Sequence, residues 1–339
     1  MTYNSAIIGC GRIGCGFDDD QKRYIKTHAG AYTKCKKTQL IALCDVDPIK
    51  LEKYGKKYKI SKLYSDYRLM FLENQFDIIS ICTHAPNHHE IVKECVRNGI
   101  KGIFIEKPIS NNLQNSLKIL ELCKKNKIKL VIDYQREYIP SYQKLKKLLD
   151  LKRIGNIQKI LVNYGGGVAN TGSHIFDILL LFFGPAKNIS SKFSVNQSNN
   201  KQDPNLDIVI EFKEKIICNL NALDISNYGI LEMDIFGTKG RVKMDMVKHC
   251  IDFFEISKKG LVYNELKKGN RISTRKENEP ILKILENLLV SIEKKSIPLA
   301  SLKQGHNSLE LIIGAMMSAQ QNKTINFPIK NKKFKIHSK

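Results

Sequence analysis

No apolar run in the 339 residues reaches the roughly 20 needed to cross a bilayer, so a membrane-spanning helix is not expected. The first residues carry no cationic segment ahead of a long apolar one, so no signal peptide is expected either, and the compartment expected is the cytoplasm. The nine cysteines include no C-x-x-C pair and no zinc-ligand spacing. Several sit inside apolar runs, as at Cys82 and Cys218, which reads as reduced, buried thiols. Arginine is scarce: only nine of the 56 basic residues are arginines. Bidentate phosphate or base recognition favours arginine, and here the net charge of +23 comes from lysines scattered in twos. No nucleic-acid-binding motif accompanies the charge, so no nucleic-acid partner is expected. An anionic small molecule remains compatible with it.

What is present is a regular alternation. Apolar strands are expected at 3–8, 39–44, 76–82, 102–105 and 128–132, with helices at 49–59, 87–98 and 112–126 between them. That spacing means βαβ crossovers and a doubly wound parallel sheet of the Rossmann type over 1–133. From 134 the texture changes. A helix at 140–150 precedes strands at 157–164, 189–196, 206–212, 215–223, 230–236 and 241–244, with helices at 173–183, 280–295 and 304–321. Clustered strands imply an α+β domain over 134–329 with a large, mostly antiparallel sheet. A basic tail over 330–339 is expected to fray. One face of such a sheet is left for solvent or a partner. The alternation of Leu206, Ile208, Ile210 and Phe212, then Ile216, Ile217 and Leu220, points to a homodimer or homotetramer formed there.

The strand at 3–8 runs into Gly9-Cys10-Gly11-Arg12-Ile13-Gly14, a G-x-G-x-x-G segment followed by helix-compatible sequence. Gly9 permits the tight turn, Gly11 close approach to a pyrophosphate, and Gly14 close packing of helix on strand. The helix expected after it offers N–H groups to phosphate. Asp45, at the end of the next strand, is placed to accept from the adenosine ribose hydroxyls, which favours NAD over NADP. Lys50 and Lys53 lie close enough to leave that a preference, and Asp45 can also be read as a turn or cap residue before Asp47-Pro48. Asp45 stands 31 residues past Gly14, against about 20 in the usual fingerprint. The surplus is a polar stretch around Asp18-Asp19-Asp20, expected to project from the pyrophosphate as a lid or pocket wall.

Four further segments complete a family pattern. They are Thr83-His84-Ala85-Pro86-Asn87-His88-His89, Glu106-Lys107-Pro108, Gly172-Ser173-His174-Ile175-Phe176-Asp177 and Asp234-Ile235-Phe236-Gly237-Thr238-Lys239-Gly240-Arg241. With the fingerprint and Asp45, in this order along nearly the whole chain, the sequence resembles the glucose–fructose oxidoreductase/inositol dehydrogenase/MocA family. The resemblance implies hydride transfer between a nicotinamide and a hydroxyl-bearing carbon of a sugar, cyclitol or nucleotide-linked sugar. It implies cofactor contacts from Gly9, Gly11, Arg12, Ile13, Gly14, Asp45, Thr83, Pro86, His89, Glu106 and Lys107, and no metal.

Oxidising an alcohol needs a base for the hydroxyl proton and a positive group for the developing alkoxide. His174 suits the first role, and Lys107, beside the nicotinamide in this family, the second. The family commonly has an Asp four residues before the His; Asn170 stands there instead, able to hydrogen-bond but not to share a proton. Asp177, one helical turn after His174, reads as a helix-packing or orienting residue on the substrate side rather than as an acid catalyst. Arg136 either binds an anionic substrate or locks the two domains. Two other functions stay open: a catalytically silent dinucleotide-sensing regulator, and a reductase of a non-sugar substrate.

Overall fold

Apolar runs of four to seven residues become parallel strands when helices can cover both faces of the sheet. In the computed structural model, which describes residues 2–19, 24–257, 262–273 and 279–337, this holds for β1 (Tyr3–Ile8), β2 (Thr38–Cys44), β4 (Ile78–Ile81), β5 (Gly102–Ile105) and β6 (Lys129–Ile132), while the short, exposed β3 (Lys62–Tyr64) extends the sheet at its edge. Their order is β3-β2-β1-β4-β5-β6, and every pairing is parallel. This is the doubly wound order that places ligands at the carboxyl ends of β1 and β4. Helices α1 (His28–Lys34), α2 (Pro48–Tyr58), α3 (Tyr67–Glu73), α4 (His88–Arg97) and α5 (Leu113–Lys125) connect the strands. Asn112 caps α5 by accepting from the Asn115 N–H, and Asp47 caps α2 ahead of Pro48, so Asp45 is not the cap residue there.

The helix expected directly after Gly14 is interrupted. Cys15 N–H donates to Gly11 C=O at 2.9 Å, one helical turn, and the chain then leaves through a short 3-10 turn at Gly16–Asp18. It returns at α1, where the His28 and Ala29 N–H groups donate to Ile13 and Gly14 C=O at 3.1 and 3.0 Å. In an unbroken α-helix those carbonyls serve residues 17 and 18. His28 therefore stands where residue 17 would, eleven positions later in the chain. Removing those eleven from the 31 leaves Asp45 20 positions past Gly14, the usual fingerprint distance. Instead of projecting freely, the described part of the loop is fastened on two sides. Asp18 accepts from Lys26 N–H and from the Thr27 hydroxyl at the head of α1. Asp19 accepts from Lys53, Lys57 and Tyr54 on α2, which together hold its carboxyl down at about 2. Asp20 and its neighbours to Arg23 lie outside the described residues.

The chain divides into two units, Met1–Tyr138 with Asn278–His306, and Ile139–Glu277 with Asn307–Ser338. The second contains α6 (Pro140–Asp150), β7 (Ile157–Tyr164), α7 (Gly172–Phe183), β8 (Ala186–Phe193), β9 (Leu206–Phe212), β10 (Ile217–Ala222), β11 (Glu232–Gly237), β12 (Gly240–Asp245), β13 (Cys250–Ser257) and β14 (Glu265–Ser273). The helix α8 (Pro280–Lys294) belongs to the first unit, where Ile292 and Leu288 fill the space over Gly102. The chain closes with α9 (Leu302–Gln321) and β15 (Ile325–Asn326). The second sheet runs β14-β13-β12-β11-β7-β10-β9-β8-β15, antiparallel except for the β7–β10 pair.

Two expectations are corrected here. Leu206, Ile208, Ile210, Phe212 and Leu220 are not offered to a partner; they are buried within the chain. α7 covers them through Phe183, whose ring lies 5.8 Å from that of Phe212, while α9 seals β8 through Ser191 Oγ donating to Ala315 C=O. The opposite face carries Asp207, Asn219 and Asn221, with Val209 41% exposed. Nor does the tail simply fray. Its lysines at 330, 332, 333 and 335 are exposed, but Ile336 is buried and Ile329 N–H donates to Glu310 Oε1 at 2.8 Å. Lys339 lies outside the described residues.

The interrupted helix makes a direct prediction. Deleting residues 16–26 and joining Cys15 to Thr27 restores an unbroken helix. The shortened protein is expected to fold with the same far-UV circular dichroism per residue and a Tm within about 5 °C of wild type, the loss of the Asp19 contacts being a surface effect. Loss of cooperative unfolding would contradict the looped-out account.

Candidate functional site

The carboxyl end of β1 is built by close backbone approach. Gly9 has φ +102°, and a Cβ there would sit 2.6 Å from the Cys82 carbonyl carbon and oxygen at the end of β4. A Cβ on Gly14 would fall on the Gly9 carbonyl oxygen. A Cβ on Gly11, by contrast, would meet nothing within 4 Å. Gly9 and Gly14 are thus fixed by packing, whereas Gly11 faces open space of the kind a pyrophosphate fills. Arg12 is exposed with its guanidinium 4.6 Å from the Phe17 ring centroid, and Ile13 is half-buried.

Asp45 closes the loop. Its Oδ2 accepts from Cys10 N–H at 2.6 Å and its Oδ1 from Asp47 N–H at 2.9 Å. A carboxylate has about four acceptor positions, so two remain for ribose hydroxyls. The two lysines that could have favoured a 2′-phosphate are engaged elsewhere. Lys50 Nζ lies 3.1 Å from Asp47 and Lys53 Nζ 2.6 Å from Asp19.

At the ends of β4 and β5 the three neighbouring histidines separate. His88 is fully buried, with Nε2 3.0 Å from Thr83 C=O and Nδ1 3.2 Å from Ile109 C=O, tying the loop after β4 to the loop after β5. Burial pushes its pKa down to about 4 against the pull of those carbonyls, so the neutral ring donates to one of them only. His84 and Pro86 are exposed, and His89 pairs with Glu90 at 3.0 Å while lining a groove with Lys93 and Lys118. Among the described residues these histidines form no ligand cluster. Thr83 Oγ1 is buried with no protein hydrogen-bond partner, as expected of a group that meets a ligand. Glu106 and Lys107 follow β5 directly, and Glu106 Oε1 lies 3.2 Å from His28 Nε2. Arg136 lies half-buried in a 3-10 turn, Gln135–Tyr138, just past β6.

In the second unit, His174 sits in the first turn of α7, half-buried, and Asp177 one turn on is buried. The turn before it, Gly167–Thr171, is a π-turn, a conformation frequent at functional sites. Asp203 holds it by accepting from Ala169 and Asn170 N–H at 2.7 and 2.8 Å. Gly167 has φ +92°, and a Cβ there would collide with that carboxylate. Asn170 itself is exposed, its C=O accepting from the Ser173 hydroxyl at 2.7 Å. Sequence reasoning missed His28, Asp133 and Asp203. His28 was hidden by the looped-out residues, which separate it from the fingerprint it packs beside.

Burial of neutral His88 has a measurable consequence. Its pKa is about 4 folded and about 6.5 unfolded, so its contribution is complete above pH 6.5 and is lost as pH falls towards 4. The wild type should lose about 2 kcal/mol relative to His88→Asn between pH 7 and pH 5, measured by urea unfolding. Parallel pH curves for the two proteins would contradict a neutral buried imidazole.

Comparison with known proteins agrees with this geometry. Residues 3–134 match the family model for an oxidoreductase family NAD-binding Rossmann fold, and residues 162–327 match the model for its C-terminal alpha/beta domain. An uncharacterized oxidoreductase of Synechocystis sp. is 22% identical over 354 residues, covering 92% of this chain and 93% of the relative. The myo-inositol 2-dehydrogenase of Thermotoga maritima is 24% identical over 265 residues, covering 71% and 75%. The crystal structure of the WlbA dehydrogenase from Bordetella pertussis, in complex with NADH and UDP-GlcNAcA, superposes with a TM-score of 0.79 at 18% identity, covering 97% of this chain and 100% of that one. With both family domains matched over most of its length, the chain belongs to the Gfo/Idh/MocA oxidoreductase family.

Proposed function

We propose that this protein is an NAD-dependent dehydrogenase that oxidises a hydroxyl-bearing carbon of a sugar, cyclitol or nucleotide-linked sugar. The observation that carries the reading is the open space over Gly11 beside an Asp45 carboxylate with acceptor positions to spare. NAD is preferred to NADP because a 2′-phosphate would meet that carboxylate while Lys50 and Lys53 are held by other acids. The bound cofactor supplies the hydride acceptor; the protein's own groups handle the proton.

In this reading Lys107 hydrogen-bonds the reacting oxygen and stabilises its negative charge, and His174 takes the hydroxyl proton. Asn170 orients substrate through hydrogen bonds, Asp177 orients from within α7, and Arg136 receives an anionic substituent. Thr83, Pro86 and Glu106 flank the cofactor. His89, paired with Glu90, has less support for that role. The family setting supports a sugar-type substrate: relatives include proteins named D-apiose dehydrogenase and inositol 2-dehydrogenase. A homodimer or homotetramer is part of the proposal, formed through the polar outer face of the second sheet around Val209 rather than through the buried residues of β9 and β10. A cytoplasmic location fits the described helices, none of which is long and apolar enough to cross a membrane.

The test is a panel of aldoses, cyclitols and nucleotide-linked sugars, followed by the absorbance of reduced cofactor. On the substrate so found, Lys107→Ala and His174→Ala should each lower kcat by roughly 100- to 10,000-fold with dinucleotide binding retained. Asn170→Asp should keep or raise the oxidation rate. Near wild-type turnover in both alanine variants would refute the assignment. Dinucleotide binding with no turnover on any CH–OH substrate would favour a silent sensor.

A further inference from the structure

Behind Lys107 lies a buried group of three titratable side chains. β5 and β6 are paired in parallel, Ile105 opposite Ile132, so the residues that follow them, Glu106 and Asp133, leave the sheet side by side. His28, at the start of α1, joins them: one ligand-type atom from each of the three lies within 4.8 Å of the others. All are shielded from water, with exposures of 0% for His28, 9% for Glu106 and 3% for Asp133. His28 packs on the Phe104 ring at 3.9 Å, and its Nδ1 is 2.9 Å from the Ser80 hydroxyl, which in turn bonds the Tyr32 hydroxyl. Asp133 Oδ2 accepts from Gln135 Nε2 at 3.0 Å, while Oδ1 is enclosed with nothing among the described residues donating to it.

Two carboxylates this close repel by about 3 kcal/mol at an effective dielectric of 20. The Lys107 ammonium favours the Glu106 anion and so offsets one charge. His28 does not offset the other, because burial pushes its pKa down to about 4 and leaves it neutral; its 3.2 Å contact with Glu106 is a hydrogen bond, not an ion pair. The Cys82 thiol, a further titratable neighbour of both carboxyls, is kept protonated by its own burial. One carboxyl must therefore keep a proton.

We propose that Glu106 and Asp133 share one proton, so that at neutral pH the pair presents a single negative charge to Lys107 and Asp133 acts as a positioning residue that sets when Lys107 loses its proton. The direction of burial's effect agrees, raising both carboxyls and Asp133 well above the ordinary range. The shared proton rests on the first unit alone, whereas its effect on Lys107 rests on the catalytic reading above, and the two are tested separately.

Infrared spectra of the protein without ligand, at pH 7 in H2O and D2O, read the proton directly. Wild type is expected to show a protonated-carboxyl C=O stretch that is lost in Asp133→Asn, and also in Asp133→Ser should the first variant fold poorly. A spectrum unchanged by both substitutions overturns the shared proton. So does a thermal stabilisation by zinc or manganese chloride that Asp133→Asn abolishes, because the three groups would then be cation ligands. Once a substrate is known, the alkaline limb of kcat should move down by about one pH unit in Asp133→Asn: in wild type the shared proton leaves at high pH and the second negative charge then holds the Lys107 ammonium on, whereas without the Asp133 carboxyl that charge cannot form. An unmoved limb with the infrared band lost would overturn the link to Lys107 while leaving the shared proton standing.

Discussion

The backbone of Gly9 is clamped on both sides, by the end of β4 at Cys82 and by Gly14 one turn later. Most of the first unit follows from that close approach. It brings β1 and β4 into register at their carboxyl ends and turns the chain so that the Cys10 N–H reaches Asp45. It also leaves Gly11 facing outward with room beside it. A methyl group at either clamped position would separate the strand ends and move the amide that Asp45 holds. The same crowding at Gly14 explains how the chain can depart for eleven residues and still resume its helix: α1 is anchored by the Ile13 and Gly14 carbonyls, which the turn has already fixed.

Much of the fold was legible because its strands and helices have clean periods. The runs at 3–8, 102–105, 140–150, 157–164 and 206–212 were read with the bounds the structure gives them. β13 and β14 were missed for a physical reason. β14 reads Glu-Leu-Lys-Lys-Gly-Asn-Arg-Ile-Ser, with no alternation and little apolar content, and pairs through its backbone to β13 at the sheet's edge, where residues 265–271 stay exposed. The alternation in β9 was read correctly as one apolar face, but the sequence did not show that α7 of the same chain would cover it.

The site was legible where chemistry sits in short motifs and illegible where it depends on distant segments. Glycine spacing and Glu106-Lys107-Pro108 are local signals. Asp203 is not: it lies 33 residues beyond Asn170 in a polar loop, and only folding brings its carboxylate to the π-turn before His174. Asp133, just past a strand, and His28, beyond the polar stretch after the fingerprint, carry no local signal, yet the two meet Glu106 out of contact with water. Buried polar groups of this kind recur where a protein fixes the charge of a neighbouring functional side chain.

The central claim is that the Gly9–Gly14 turn and Asp45 together form a dinucleotide site selective for the unphosphorylated ribose. Isothermal titration of NAD and NADP into wild type and Asp45→Ser tests it most directly. The account predicts one NAD per chain, NADP weaker by about tenfold or more, a difference of about 1.4 kcal/mol, and a ratio falling towards one in the variant. Equal or tighter binding of NADP by the wild type, or no binding of either, would contradict it.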